Sequence, residues 1–310
     1  MQVEEELARF SPGKDTLLAL GVFDGVHLGH KYLISQLTER ARQEGLLSAV
    51  ITFEQHPREV LSPGTELSYL TIVDEKVGLL RKEGIEAVIT LSFTPELAQL
   101  TARQFVTLLR RHLRMRGMVV GPDFALGRSR EGDVDTLRVL GHELGFSITV
   151  ISTVTTNGEA VSSTTIRNAL ADGDMRRVAR LLGRPYSLRG QVTTGAGRGS
   201  GLGFPTANLD VDPKQALPSE GVYATWAYVD GEAYQSMTNI GRRPTFGEKQ
   251  RTVEVFLLNY CGSLYGRQVR IDIVERLRDE KRFDTADDLK RQIAEDVERG
   301  KAILNLQGRG

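Results

Sequence analysis

Cysteine is nearly absent from this chain: Cys261 is the only one in 310 residues. A single thiol forbids an intrachain disulfide, and no CxxC pair exists to hold a structural zinc ion. An excess of one charge is also missing, because 40 Lys and Arg balance 40 Asp and Glu. No global basic surplus therefore draws the chain to nucleic acid or to an anionic membrane. No apolar run approaches the ~20 residues that span a bilayer. The opening MQVEEELARF is acidic where a secretory signal would be basic. These absences argue against a secreted disulfide scaffold, a zinc-finger protein and a membrane protein. They leave the expectation of a cytoplasmic protein with small-molecule partners, no nucleic acid and no membrane. The composition, 40% hydrophobic and 26% charged, is that of a folded chain, and the length suggests about two domains.

Glycine is the residue in surplus, with 32 copies. Glycine permits positive φ and close approach of backbone to a ligand, so its clusters direct the search for chemistry.

The first 180 residues alternate strand-like and helix-like segments. Strands are predicted at 16–23, 48–53, 86–93, 117–121 and 146–153, and helices at 28–44, 74–84 and 133–145, with a helix start at Thr94-Pro95-Glu96 and a second, a capping box from Thr101 to Gln104, leading into a helix to about Arg114. This alternation predicts a doubly wound parallel α/β sheet with helices on both faces. A closing helix is read over ADGDMRRVARLLGRP, stopped by Gly183 and Pro185. Beyond it, strands are predicted at 186–194, 221–230, 233–240, 252–260 and 268–277, with Asp230-Gly231 as a hairpin turn. Five or six such strands predict a small antiparallel β-barrel. A terminal helix from about Thr285 to Arg299 is read as stopped by Gly300. The domains expected are 1–183 and 184–310.

The string GVFDGVHLGHKYLI (21–34) stands at the switch from first strand to first helix. Ligands of open α/β sheets bind at such strand ends, and a helix N-terminus attracts anions. His27 and His30 are placed to donate hydrogen bonds to phosphate oxygens, while Gly25 and Gly29 keep bulk away. A zinc pair and ordinary packing are the competing readings, although the helical zinc signature H-E-x-x-H has four-residue spacing. Asp123 and Phe124 follow a predicted strand end and so point to the same crevice. Ser162, Ser163, Thr164 and Thr165 are four hydroxyls at a helix start, and Arg167 adds a phosphate-shaped fork. In the β-rich half, TTGAGRGSGLGFPTANLDV (193–211) is a glycine loop able to close over polyphosphate through its N–H groups, with Gly197, Arg198 and Gly203 within it. Thr206 and Asn208 alternate onto one strand face as neutral oxygen donors, suited to Mg²⁺ that is shared with nucleotide phosphates. His112 and His142 lie in helical stretches and read as structural.

The tetrad H-x-G-H resembles that of nucleotidylyltransferases and class I aminoacyl-tRNA synthetases, but no KMSKS-like loop is present. The longer FDGVHLGH is similar to the N-terminal module of bacterial bifunctional riboflavin kinase/FAD synthetases, as are TFEQHP (52–57), GPDFALGRSREGD (121–133) and SSTTIR (162–167). PTAN (205–208), LLGRPYSLRGQV (181–192), GVYA (221–224), NIGRRPTFG (239–247), VEVFLLNY (253–260) and LRDEKRF (277–283) resemble the kinase module of that family. Gln55 stands where the family usually has Pro, and Phe256 and Asn259 replace a His-type residue and Asp.

The resemblance implies two activities, phosphorylation of riboflavin to FMN and adenylylation of FMN to FAD, both using ATP with Mg²⁺. It implies Glu254 as the catalytic carboxylate of the kinase, and His27 and His30 as the electrostatic catalysts of adenylyl transfer. Ser163, Thr164, Thr165 and Arg167 would clamp phosphate, and Asp123, Phe124 and Arg278 would contact flavin or nucleotide. The alternatives are an adenylyltransferase with a passive flavin-holding barrel and, further off, a flavin-binding regulator. Oligomeric state is left open.

Overall fold

The apolar run Thr16–Leu20 forms strand β1 at the centre of a five-stranded parallel sheet ordered β3-β2-β1-β4-β7. The computed structural model describes residues 2–62, 64, 67–193, 204–242 and 251–306. By packing, the chain divides into two units, Met1–Ser163 and Thr164–Gly310.

In the first unit the elements are α1 (Gln2–Ala8), β1, α2 (Leu28–Glu44), β2 (Leu47–Phe53), α3 (Pro57–Leu61), α4 (Val73–Lys82), β3 (Ala87–Leu91), α5 (Pro95–Gln99), α6 (Ala102–Leu113), β4 (Met115–Val120), β5 (Ala125–Leu126), β6 (Gly132–Asp133), α7 (Val134–Leu144), β7 (Ser147–Val150), β8 (Thr155–Thr156) and β9 (Glu159–Ala160). Alternation along β1 makes the sheet double-faced. Leu18 and Leu20 pack with Phe105, Leu109 and Leu137 of α6 and α7, while Leu17 and Ala19 pack with Ile34 and Leu37 of α2 and Leu80 of α4. The expected Thr101 capping box starts α6, with Thr101 and Gln104 bonding reciprocally. The order places β1 between β2 and β4, so the sheet reverses direction there and the loops after β1 and β4 open on one crevice.

Strand β1 ends three residues before the predicted Phe23, because Phe23 is left-handed at φ 51°. The closing helix read from Ala171 breaks at Gly173: Ala171 and Asp172 end α8 (Ser163–Asp172), and α9 (Met175–Leu182) follows. Gly173 turns at φ 73° between them and Asp174 caps α9.

The second unit closes β10 (Tyr186–Thr193), β11 (Ala207–Val211), β12 (Gly221–Val229), β13 (Glu232–Arg242), β14 (Arg251–Leu257) and β15 (Gln268–Arg278) into an antiparallel barrel ordered β10-β11-β14-β13-β12-β15. Asp230 and Gly231 take φ 51° and 90°, the left-handed pair a two-residue hairpin needs. Val222, Ala224 and Trp226 face outward beneath Val297 and Leu304 of α10 (Ala286–Leu306). The alternate Tyr223, Thr225 and Ala227 are fully buried inside. There the Thr225 hydroxyl is bonded to those of Ser236 (2.7 Å) and Thr238 (2.8 Å), so the barrel interior is satisfied rather than purely apolar. Gly300 does not stop the terminal helix, which runs on to Leu306. A Cβ there would collide with the Met237 thioether, so Gly300 serves close packing of helix on barrel.

Candidate functional sites

The loop between β1 and α2 holds a backbone that sequence propensity disfavours. Phe23, Gly25 and Val26 all have positive φ, 51°, 83° and 38°. A β-branched residue there is a genuine outlier, and such strain persists only when the surroundings over-determine it. They do so through Asp24. Its buried carboxylate accepts from the Leu70 N–H (2.9 Å) and the Thr71 N–H (3.1 Å). The Gly25 N–H donates to the Thr71 hydroxyl at 3.1 Å, and the Ser163 hydroxyl donates to the Asp24 carbonyl at 2.9 Å. Val26 and Phe23 fill the core beneath.

The loop delivers both histidines together. His27 is the N-cap of α2, its Nδ1 accepting from the His30 N–H at 3.3 Å. The two rings stack with centroids 3.6 Å apart and 15° between planes. A Cβ on Gly29 would stand 3.2 Å from the His27 ring, which is why glycine separates them. The Phe23 ring lies 5.1 Å from that of His30. Burial first, then the charges of His27 and Lys76, hold the His30 pKa well below 6.5, so it is neutral at pH 7. Its Nδ1 is buried with no partner among the described residues.

Lys76 was not singled out in the sequence, where it lies within the helix read over 74–84. It is 3% exposed, and its ammonium donates to the Phe53 carbonyl at 2.8 Å. Burial pulls its pKa down to about 8, partly opposed by Asp24. Asp24 was missed as an anchor for the same reason: its role depends on residues almost fifty positions away.

Asp123 and Phe124 lie in the loop after β4, at the sheet's reversal. Asp123 is exposed, with its carbonyl accepting from Arg130 at 2.9 Å, and Phe124 is half-buried against the core. Gln55 donates to the Phe93 carbonyl at 2.9 Å, tying its turn to the strand end beside it. Ser163 begins α8, followed by exposed Thr164 and half-buried Thr165 and Arg167 in the second unit.

In the barrel, register assembles the second candidate site. Asn208 of β11 pairs directly with Glu254 of β14, and Glu254 pairs with Asn239 of β13. Directly opposed residues share a face, so an amide, a carboxylate and an amide form one row across three strands. Glu254 shares its parity with Phe256, which packs on the α10 side and meets the Phe204 ring at 5.4 Å and 84°. The row therefore lies on the outer face. Asn239 was the missed member; its amide donates to Glu280 at 3.3 Å. Asn259 takes φ 58°, a conformation asparagine tolerates better than most side chains. Gly197, Arg198 and Gly203 lie outside the described residues.

Arg278 is engaged within the protein. Its guanidinium binds Asp296 of α10 through Nε (2.9 Å) and Nη2 (2.8 Å), and Nη1 donates to the Asp279 carbonyl at 3.0 Å. This pair joins the barrel to the terminal helix.

Among the described residues no group of three or more His, Cys, Asp or Glu could hold a metal ion. The hydroxyl of Thr206, the amide of Asn208 and the carboxylate of Glu254 are hard oxygen donors with a single charge. That set suits a divalent ion that keeps waters and takes phosphates as partners. Among the described residues no helix is long and apolar enough to cross a membrane.

Two family models match, FAD synthetase over residues 11–165 and riboflavin kinase over 182–304. A bifunctional riboflavin kinase/FMN adenylyltransferase from Escherichia coli K12 is 38% identical over 96% of this chain and 95% of its own. Those from Pseudomonas fluorescens (37%, 98% of each chain) and Bacillus subtilis (35%, 95% of this chain and 92% of its own) agree. A crystal structure described as a macrolide-efflux protein from Streptococcus pneumoniae has the same fold, with TM-score 0.90 and 28% identity over 97% of each chain. Two family models and relatives of higher identity outweigh that description, and the chain belongs to the bifunctional riboflavin kinase/FMN adenylyltransferase family.

Proposed function

We propose that the chain makes FAD from riboflavin in two ATP-dependent steps at separate sites, with residues 1–183 serving adenylyl transfer and 184–310 the kinase. The activity pair follows from the family; the residue roles rest on the geometry above. The packing boundary after Ser163 gives α8 and α9 to the barrel unit.

The kinase must activate a primary alcohol, a poor nucleophile near pH 7. Glu254 accepts the proton of the ribityl hydroxyl as its oxygen forms a bond to the γ-phosphorus and ADP leaves. Asn208 and Asn239, held on either side by strand register, orient the carboxylate and the groups around it. Mg²⁺, when bound at Thr206 and Asn208, would neutralise phosphate charge and align the transferred group. The glycine loop with Gly197, Arg198 and Gly203 would cover the ATP phosphates.

Adenylyl transfer makes another demand. Its nucleophile, the FMN phosphate, is already an anion and needs no strong base. An FMN oxygen bonds to the α-phosphorus of ATP, and pyrophosphate leaves. His27 and neutral His30, at the helix start beside Gly25 and Gly29, donate to the oxygens where charge builds. Ser163, Thr164, Thr165 and Arg167 would hold phosphate, and Asp123 and Phe124 would contact the flavin or nucleotide, as Arg278 would in the kinase module.

The row Asn208–Glu254–Asn239 supports the two-activity reading over a passive barrel, since strand register holds a carboxylate between two amide residues on one face. Incubation of the full chain with riboflavin, ATP and Mg²⁺, followed by chromatography, should show FMN and then FAD. Persistent riboflavin alongside conversion of added FMN to FAD would restore the passive-barrel reading.

A further inference from the structure

The last rung between β13 and β14 pairs Arg242 with Arg251. It has the parity of Ile240 and Val253, which are buried inside the barrel, and not that of Asn239 and Glu254. The arginine rung therefore opens on the barrel mouth, whereas the candidate catalytic row lies on the outer face. A cavity of about 480 Å³ occupies that mouth, lined by the cations Arg242, Arg251 and Arg276, by the carboxylates Glu220, Asp279 and Glu280, and by Ser219, with Glu280 also accepting from Asn239 of the outer row.

The cations of this cavity are not equally compensated. Arg242 pairs with Glu220 at 2.5 Å, and Arg276 pairs with Asp279 at 2.6 Å. Arg251 donates only to the backbone carbonyls of Leu217 and Pro218, and forms no ion pair among the described residues. The Nε atoms of both Arg251 and Arg276 are buried without an acceptor among the described residues. A guanidinium is always charged, so an orphaned buried N–H on it calls for an explanation. Arg276 is also built into place. Cβ atoms on Gly173 or Gly221 would stand 2.9 Å from its side chain, and either would displace it. Ser219 stands against Gly173 beside it.

We propose that the barrel mouth is a binding site for a phosphate or diphosphate anion, with Arg251 and Arg276 as its cationic donors and the Ser219 hydroxyl beside them. Fork-shaped cations meet phosphoryl oxygens with matched geometry. The diphosphate source is at hand, because adenylyl transfer by this same chain releases pyrophosphate.

The test titrates pyrophosphate, and separately inorganic phosphate, into the full chain preloaded with α,β-methylene-ATP, which fills both nucleotide sites and cannot be adenylyl donor. Calorimetry should show one further equivalent of pyrophosphate bound, weakened by about tenfold or more in Arg251→Gln while the nucleotide analogue binds as before. Binding of both anions would mean that one phosphoryl group suffices; binding of pyrophosphate alone would mean a diphosphate site. Arg276→Lys keeps the charge but removes the Nε donor, and it replaces Arg251→Gln should that variant not fold. No anion binding to the preloaded chain, or equal binding by wild type and variant, overturns the proposal. Neither residue is part of the proposed catalytic machinery, so FMN and FAD formation by the variants checks that the active sites are intact.

Discussion

The imidazoles of His27 and His30 lie 3.6 Å apart, nearly parallel, with the backbone N–H of His30 donating to the Nδ1 of His27. That bond makes Nδ1 the acceptor, so in neutral His27 the proton is on Nε2. Burial, and after it the neighbouring charges of His27 and Lys76, hold the His30 pKa well below 6.5 and keep the ring neutral. With His30 neutral, two positive charges do not stand in contact.

Replacing His27 or His30 with alanine should lower the FMN-to-FAD rate by about 10²–10³, the usual effect of deleting one preorganised donor. Riboflavin phosphorylation should be kept. Chromatography of both products checks it; an unchanged adenylylation rate in both variants would remove the histidines from the mechanism.

Glu254→Gln should reduce FMN formation by about 10²–10⁴ through loss of the proton acceptor. The variant keeps the shape of the Asn208–Glu254–Asn239 row, so FAD formation from supplied FMN should match wild type.

Acid stability should reflect His30. Its native pKa is held well below 6.5, whereas the unfolded chain protonates near 6.5. As pH falls through 6.5 the unfolded state takes up a proton that the native state refuses, so stability drops on the acid side. Urea unfolding between pH 7 and 5 should show a smaller loss for His30→Asn than for wild type, and equal slopes would contradict the assignment.

Lys76 should act at the alkaline end. Its pKa is about 8 in the fold against 10.5 when exposed. Between those values the unfolded state holds the proton and the native state does not, so stability rises with pH by about 3 kcal/mol from this group. Lys76→Met should lack that rise in urea midpoints measured at pH 7.5 and 10.

Arg278→Met strands the Asp296 carboxylate, which is 8% exposed on its side chain. Stranding one member of a buried pair costs about 3–5 kcal/mol, and a matched apolar double change recovers much of it. Thermal unfolding of Arg278→Met and of Arg278→Met with Asp296→Leu should show this pattern. A raised KM for riboflavin in the stable double variant would show that Arg278 also contacts flavin.

Most of the architecture was legible from local pattern. Short apolar runs marked β1 and β2, four-residue spacing of Leu33, Leu37 and Ala41 marked α2, and the Thr101 box and Asp230-Gly231 turn were read from their own residues because both are short-range. Gly183 stops its helix as read; Gly300 does not, because the methyl it lacks would strike Met237 on another strand. The missed break at Gly173 has a similar cause, since helix-favouring neighbours hid a turn that packs beside Arg276.

The candidate residues divide along the same line. Sequence by itself determined that an H-x-G-H follows the first strand and that a carboxylate stands mid-strand in a β-rich half, because each is written in contiguous residues. Tertiary structure alone decided that Asp24 locks the strained loop through Leu70 and Thr71, that Lys76 is buried at Phe53, that Asn239 completes the row around Glu254, and that Arg278 is tied to Asp296. Strand register, burial and ion pairing join residues far apart in the chain, and those long-range pairings, not local propensity, set the charge and geometry on which the chemistry depends.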